Sequence, residues 1–229
     1  MNRQSLGSLS QFVSTHKLSL FEEIIQYRTR HLTVVLEDIF QPHNASACLR
    51  SCDCFGIQDI HVIENEHTFR VDREVTLGAA QRLTPTKHNR SKNNTLACLD
   101  VLRQNGYRII ATLPGKDGCL LEDYDVSQKT AILFGTEMHG LSLIARKHAE
   151  EFLNIPMYSF TESFNLSVAV AICLHSLTWK LCNSNVDLQL GDEERESVKS
   201  AWVKHVVGKR LKQHNELFWN LIDFSQKES

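Results

Sequence analysis

The sequence lacks the features that place a protein in or across a membrane. No stretch of its 229 residues approaches the roughly 20 consecutive apolar residues of a bilayer-spanning helix. Residues 1–19 contain no apolar core of the kind that a secretory signal peptide needs. We therefore expect the protein to act in the cytoplasm, with no membrane partner.

Several motifs that identify common enzyme classes are also missing. The chain contains no GxGxxG, GxxxxGK[ST], HExxH or GxSxG, so a dinucleotide enzyme, a P-loop enzyme and a serine hydrolase each lose their simplest support. It has no internal repeat and no low-complexity tract. Its 42% hydrophobic and 23% charged residues are ordinary for a soluble protein, and its length suits one domain of about 150 to 200 residues with terminal extensions.

The cysteines follow no recognisable metal-binding or disulfide pattern. There are 7 of them, an odd number, and most lie within apolar stretches. Cys48, Cys52 and Cys54 are close together, but no second Cys or His pair follows at zinc-site spacing. We expect free thiols in a reducing cytoplasm, and no bound metal.

The formal net charge of −2 argues against a general nucleic-acid coat, yet the cations are unevenly placed. Residues 79–99 and 197–215 contain several Lys and Arg and no acidic residue. Such segregated cations can follow the phosphates of a nucleic acid. They can equally form a solvated helix face balanced by acids elsewhere, and charge alone leaves both interpretations open.

Short apolar runs alternate with helical patterns along most of the chain. This alternation predicts an α/β fold, a mainly parallel sheet with helices on both faces. Residues 65–94 are polar and irregular. Ser19 and Glu22 fit a capping box for the first helix, and Asn44 is a plausible N-cap for the second. We predict strands over 31–37, 59–63, 107–113, 131–134 and 153–157, and helices over 20–30, 45–55, 95–104, 145–152, from 163 onward and in a long segment after 191–196.

The stretch from residue 131 to residue 175 predicts a ligand site. Two predicted strand ends and a polar helix start fall within it, which is how an open α/β sheet builds a crevice beyond the carboxyl ends of its strands. Gly135 lets the backbone approach a ligand closely, and Glu137 places a carboxylate at the mouth of the turn.

Arg50 is the only Lys or Arg between residues 31 and 69, which makes it a candidate for function. It lies inside the predicted helix 45–55. Nearby acidic residues also offer it a purely structural role as a salt-bridge partner: Glu37, Asp38, Asp53 and Asp59. Spacing alone leaves the two roles open.

Three ordered blocks resemble the signature of the SpoU-class, TrmH-like RNA ribose 2′-O-methyltransferases of the SPOUT superfamily. The first is NASACLR at residues 44–50, similar to the family's NxxxxxR. The second is FGTEMHGLS at 134–142, which matches FGxExxGLS in full. The third is IPM at 155–157 followed by SFNLSVA at 163–169. The resemblance covers about residues 32–177.

The resemblance implies a deep trefoil knot, an obligate homodimer and S-adenosylmethionine as the cofactor. It suggests an N-terminal helical extension over 1–30, a knotted methyltransferase domain over 31–182 and a C-terminal helical extension over 183–229. Short terminal helices around the domain are the layout of relatives that methylate guanosine 18 in the D-loop of tRNA. The alternatives are ribose methylation of rRNA and a non-catalytic, RNA-binding knotted protein.

The resemblance also assigns site residues. Arg50 is the family's catalytic residue, with Asn44 orienting it and Ser163 and Asn165 completing the pocket. Because deprotonating a guanidinium near neutral pH costs roughly 8 kcal/mol, we favour an electrostatic role for Arg50 over that of a base. We expect cofactor contacts from Thr112, Leu113, Gly135, Glu137, Ile155, Met157, Phe164 and Asn165, and RNA contacts from Arg28, Arg30, Lys204, Lys209, Arg210 and Lys212.

This chain departs from the family pattern after IPM at residues 155–157. Residues 158–162 read YSFTE where a glycine is usual, and Phe164 replaces the usual leucine. The arginines that some tRNA enzymes carry further on are not evident near Trp179. The exact RNA substrate is therefore less firmly indicated than the chemistry.

Overall fold

The computed structural model describes residues 9–115 and 118–227, with side chains as far as residue 211. The chain divides into two compact units. One is Arg28–Gln189, and the other consists of the described parts of Met1–Tyr27 and Leu190–Ser229. Within the described residues, no helix is both long and apolar enough to span a membrane.

Unit Arg28–Gln189 is built on a seven-stranded sheet in which every strand pair is parallel. The strand order is β3-β2-β1-β6-β4-β7-β5, which puts β6 between β1 and β4. Parallel strands need crossover connections, and helices supply most of them here. The strands are β1 Leu32–Glu37, β2 Asp59–Ile63, β3 Thr84–His88, β4 Arg108–Thr112, β5 Cys119–Leu120, β6 Thr130–Phe134 and β7 Glu151–Asn154.

Helices cover both faces of this sheet, as the alternating pattern predicts. Successive strand side chains point to opposite faces, so Val34 and Ile132 belong to one hydrophobic cluster and Val35 and Leu133 to another. The first cluster also contains residues from the helices at 42–54 and 166–182, and the second contains residues from the helices at 94–104 and 143–148. The helices are α1 Thr15–Ile24, α2 Pro42–Cys54, α3 Arg73–Thr76, α4 Asn94–Gln104, α5 Leu143–His148, α6 Leu166–Cys182 and α7 Asp192–Lys227.

Helix α2 begins earlier than predicted because a proline opens it. Pro42 occupies the first turn, where its missing N–H and fixed φ are both tolerated. The N-cap is Gln41, without a side-chain capping bond. Asn44 is therefore not an N-cap, and its amide is free for other partners.

The predicted secondary structure differs from the structure mainly where strands are short or exposed. Strand β3 lies in the segment that we predicted to be irregular, and most of its residues are exposed, so no apolar pattern marks it. The predicted helix 145–152 and strand 153–157 are each shifted: the helix is Leu143–His148 and the strand is Glu151–Asn154.

The other unit has a small core of its own around α1 and α7. The rings of Phe21 and Trp202 lie 5.2 Å apart, and Lys199 donates to both Glu22 and Glu196. Helix α1 starts at Thr15, so Ser19 lies inside it and the predicted capping box is wrong. The other buried residues of this core, besides Phe21 and Trp202, are Val13, Ile25, Leu190, Val198, Val203 and Val207.

Candidate active site

A cavity of about 310 Å³ opens at the carboxyl ends of β4, β6 and β7. This is the edge at which open parallel sheets bind ligands. Residues after each of these strands line it, together with the residues that lead into α6. The lining includes most of the predicted cofactor residues: Thr112, Leu113, Gly135, Glu137, Ile155, Met157 and Phe164, with Ser163 from the catalytic set.

Gly135 is needed for the shape of the loop that walls the cavity. A Cβ at this position would lie 2.1 Å from the carbonyl carbon of Gly140 and 2.3 Å from the nitrogen of Leu141. The backbone groups of Thr136 and Gly140 bond to each other in both directions, at 3.1 and 2.9 Å. The close approach that we assigned to a ligand is therefore made by the protein's own backbone.

Asn44, Glu137 and Asn165 form one hydrogen-bonded network that joins all three sequence blocks. The Asn44 amide donates to the Glu137 carboxylate and, at 3.1 Å, to Gln41 Oε1. Asn165 Nδ2 donates to Asn44 Oδ1 at 3.2 Å. Asn165 is also the N-cap of α6, because its Oδ1 accepts from the Ser167 nitrogen at 2.9 Å. Neither asparagine lines the cavity, so this network holds the wall from behind.

A second carboxylate, which is buried, fixes the end of the same loop, and no sequence pattern predicts this role. Glu37, 2% exposed at the end of β1, accepts from the nitrogen and hydroxyl of Ser142, each at 2.8 Å. It also accepts from the Thr95 hydroxyl at 2.7 Å. The Ser142 hydroxyl in turn caps α5 by accepting from the Ala145 nitrogen. Ser142, which ends the motif FGTEMHGLS, therefore anchors the loop.

Arg50 lies apart from the cavity of its own chain. It is exposed on α2 and borders a shallow surface depression with His43 and Cys54, and none of these residues lines the cavity. Among the described residues, the Asn44 side chain bonds to Gln41, Glu137 and Asn165 and not to Arg50, so Asn44 does not hold Arg50 by a hydrogen bond within one chain.

The salt-bridge role that we left open for Arg50 is not the one it has here. The neighbouring acids bond to other groups: Glu37 to Ser142 and Thr95, Asp38 to residues 65–67, Asp53 to Arg28 and Arg82, and Asp59 to Arg30. Among the described residues, the Arg50 side chain makes no hydrogen bond or ion pair.

The cavity also contains polar and apolar groups that sequence reasoning missed. Arg146 lines it and donates through Nε to the Leu141 carbonyl at 3.0 Å. Thr136 and His139 come from the same loop, Glu162 precedes Ser163, and Met138 is 86% exposed at the rim. The FGxExxGLS motif could have indicated Thr136, Met138 and His139, because they occupy its variable positions.

The cations predicted to contact RNA have very different surroundings. Arg28 is 2% exposed and forms an ion pair with Asp53, so its assignment to RNA is wrong. Arg30 pairs with Asp59 at 2.8 Å and is largely covered. Lys204, Lys209 and Arg210 are exposed on α7, and Arg210 donates to the Phe12 carbonyl at 2.6 Å. The side chain of Lys212 lies outside the described residues.

Sequence comparison connects this arrangement to known enzymes. Residues 31–175 match the SpoU rRNA Methylase family. A tRNA (guanosine(18)-2′-O)-methyltransferase of Borreliella burgdorferi is 39% identical over 202 residues, which cover 88% of this chain and 91% of that protein. The protein of the same name from Escherichia coli K12 is 28% identical over 167 residues, 73% of this chain and 71% of that one.

Solved structures share the fold. The TrmH/SpoU tRNA modifying enzyme of A. aeolicus aligns with a TM-score of 0.75 and 24% identity, over 84% of this chain and 97% of that one. The SpoU methyltransferase AviRb of Streptomyces viridochromogenes, crystallised with AdoMet, aligns with a TM-score of 0.60 and 22% identity, over 71% of this chain and 65% of that one. At such identities the likeness establishes the architecture alone.

Proposed function

Because the chain belongs to the SpoU rRNA Methylase family, we propose that it methylates the ribose 2′-hydroxyl of guanosine 18 in the D-loop of tRNA, with S-adenosylmethionine as methyl donor. The observation that carries this proposal is the meeting of all three sequence blocks around one cavity. The relative with 39% identity, named for this reaction, supports the choice of substrate.

The cavity suits S-adenosylmethionine in size and in lining. Its volume of about 310 Å³ lies at the lower end of the range for small-molecule sites, which is roughly 300–1,000 Å³. Leu113, Ile155 and Met157 offer apolar cover for an adenine ring, and the backbone groups after β6 and β7 offer donors and acceptors. When bound, S-adenosylmethionine supplies an electrophilic methyl group. The chain must hold it, exclude water and align the ribose hydroxyl.

The role left for Arg50 is electrostatic. Its planar, permanently charged fork can hold a ribose hydroxyl and stabilise the oxyanion that develops as the proton leaves. Since Arg50 is exposed, unpaired among the described residues and outside its own cavity, it would act at the cavity of a second copy. Helices α2 and α6 would then form the interface of a homodimer, with two composite sites.

Mixed dimers test this arrangement directly. An Arg50→Lys subunit retains a good cavity, and a Gly135→Ala subunit retains Arg50, so a dimer of the two has one complete site only if Arg50 acts across the interface. We expect such dimers, purified through two different affinity tags, to regain up to half of the wild-type activity. Activity no higher than that of the two parent variants would place Arg50 in its own subunit's site.

The sheet topology supports the proposed knot. Strand β6 lies between β1 and β4, and β7 pairs with both β4 and β5, so the chain returns to the middle of the sheet after building its flanks. The two domain boundaries, after residues 30 and 182, remain our proposal. A proteolysis series that yields a stable, S-adenosylmethionine-binding fragment over 31–182 would support them.

The substrate is tested with RNA transcripts and methyl-labelled S-adenosylmethionine. We expect label to enter a tRNA transcript at guanosine 18 and not an rRNA transcript, and no label to enter a tRNA carrying 2′-deoxyguanosine at position 18. Label in the deoxy substrate would reject ribose methylation. Label only in rRNA would favour the rRNA alternative, and cofactor binding without transfer to either RNA would favour a non-catalytic role.

A further inference from the structure

Three potential metal ligands meet at the edge of the sheet, away from the cavity. His61 lies on β2, His88 on β3 and Cys98 on α4. Their nitrogen and sulfur atoms all lie within 4.8 Å of one another. His61 Nδ1 and His88 Nε2 are 3.0 Å apart, and the two rings stack with centroids 5.2 Å apart.

We propose that His61, His88 and Cys98 bind a zinc ion. Two imidazole nitrogens and one thiolate sulfur are ligands that Zn²⁺ prefers, whereas Mg²⁺ and Ca²⁺ prefer oxygen ligands. Zinc holds nitrogen at about 2.0–2.1 Å and sulfur at about 2.3 Å, which places two tetrahedral nitrogens about 3.3 Å apart. The observed 3.0 Å is a hydrogen bond between the two nitrogens, so both rings must turn as well as separate for their lone pairs to meet at one ion, and the Cys98 sulfur must move closer.

Two of the three side chains are buried, and the third reaches solvent. His61 is 8% exposed and Cys98 is fully buried, while His88 is partly exposed on the edge strand and gives an ion a way in. With three protein ligands, a water from the His88 side completes a four-coordinate zinc.

The proposed ion would fasten an otherwise weak edge of the fold. Strand β3 is largely exposed and pairs with β2 alone among the strands that the structure describes, so coordination by His88 would tie it to both β2 and α4. Local cysteine spacing gave no indication of this site, because its ligands come from three separate elements. None of the three residues lines the cavity, so we expect a structural role rather than a catalytic one.

Metal binding to the tagless, full-length protein tests the proposal. After chelator treatment and dialysis, Zn²⁺ is titrated in competition with a chromophoric chelator, and Co²⁺ is used as a spectroscopic probe. We expect one equivalent of tight Zn²⁺, a thiolate-to-cobalt charge-transfer band and a higher melting temperature with Zn²⁺. In Cys98→Ser the band should vanish and affinity should fall at least about a hundredfold, in line with the loss of a direct ligand.

Two controls separate this site from other thiols. Cys173→Ser removes an equally buried cysteine from the other hydrophobic cluster, and Cys54→Ser with Cys182→Ser removes the two exposed ones; both variants should bind as the wild type does. If Cys98→Ser does not fold, His88→Asn at the exposed edge must lose the metal instead. Failure of the wild type to bind one equivalent, or undiminished binding by His88→Asn, would reduce the pair to a simple hydrogen bond between neutral imidazoles.

Discussion

The two ends of one sequence block have opposite surroundings in the fold. Asn44 and Arg50 belong to NASACLR on helix α2, where six residues at 3.6 per turn place their side chains about 120° apart. Asn44 is 4% exposed and bonds to Glu137 and Asn165. Arg50 is exposed, and it makes no side-chain bond to any residue that the structure describes.

The difference suggests two kinds of residue. Asn44 helps to build the site, whereas Arg50 has no structural role in the part of the chain that the structure describes and is available for catalysis. The Glu37 and Asp53 carboxylates are already engaged, Glu37 with Ser142 and Asp53 with Arg28. A buried polar group must be satisfied for the fold to be stable, whereas an exposed, unpaired cation has no such structural purpose. We therefore expect substitutions at the first kind of residue to change stability, and substitutions at the second to change rate.

The largest expected effect is on the rate of methyl transfer by Arg50→Lys. Lysine keeps the charge but cannot reproduce the planar fork, and loss of one such electrostatic contact costs about a hundred- to a thousandfold in rate. Because the Arg50 side chain has no bonding partner among the described residues, stability and cofactor affinity should stay unchanged. The measurement is single-turnover transfer with saturating tRNA, alongside thermal melting. A rate within threefold of wild type would remove Arg50 from the mechanism.

A methyl group at Gly135 should give the next largest effect, on cofactor affinity. The Cβ of Gly135→Ala would meet the backbone of Gly140 at 2.1 Å, so the loop must move, at a cost of about 1–3 kcal/mol in stability. Since this loop walls the cavity, we expect S-adenosylmethionine affinity to fall more than tenfold by calorimetry. Gly106→Ala is the control for lost stability alone: its φ of +77° strains an alanine, but a Cβ there has nothing within 4 Å. It should lose stability alone, and equal affinity losses in both variants would contradict the loop's role.

The core of the sheet was predictable because its strands are short, apolar and bounded by turn residues. Strand β2 was predicted with the bounds that it has, and β1, β4 and β6 within a residue or so. The start of helix α2 was predicted three residues too late, at residue 45, because Pro42 lies in the first turn of the helix and not before it. Strand β3 carries no apolar signal, and only its pairing with β2 makes it a strand.

The cavity was predictable from its motifs, but its internal support was not. The blocks around Gly135, Ile155 and Ser163 indicated which strand ends would meet. The role of Glu37 was not evident, because its partners Ser142 and Thr95 are distant in sequence and only the closed sheet brings them together. The burial of Arg28 was missed for a similar reason, since its partner Asp53 lies on a different element.

The contrast between Asn44 and Arg50 can be sharpened with double-mutant cycles in stability. Asn44→Ala leaves the Glu137 carboxylate without its donor, so we expect a loss of about 1–3 kcal/mol. Combined with Glu137→Ala, the two changes should couple by about 1 kcal/mol or more, because the residues bond directly. Combined with Arg50→Ala, the coupling should be close to zero. Urea denaturation of the single and double variants measures both cycles, and a sizeable Asn44–Arg50 coupling would restore the view that Asn44 orients Arg50.

The smallest expected effect is on the salt dependence of tRNA binding, and it depends on whether each cation of helix α7 already has an acidic partner. Lys199 bridges Glu22 and Glu196, whereas Lys209 is exposed with no partner among the described side chains. Neutralising Lys209, Arg210 and Lys212 together should lower the slope of log affinity for tRNA against log salt by about two to three, since each phosphate contact releases counterions. Lys199→Gln, on the same helix, should leave the slope unchanged because its charge is already balanced. Filter binding over a range of salt concentrations provides both slopes, and an unchanged slope in the triple variant would mean that this helix face meets solvent and not RNA.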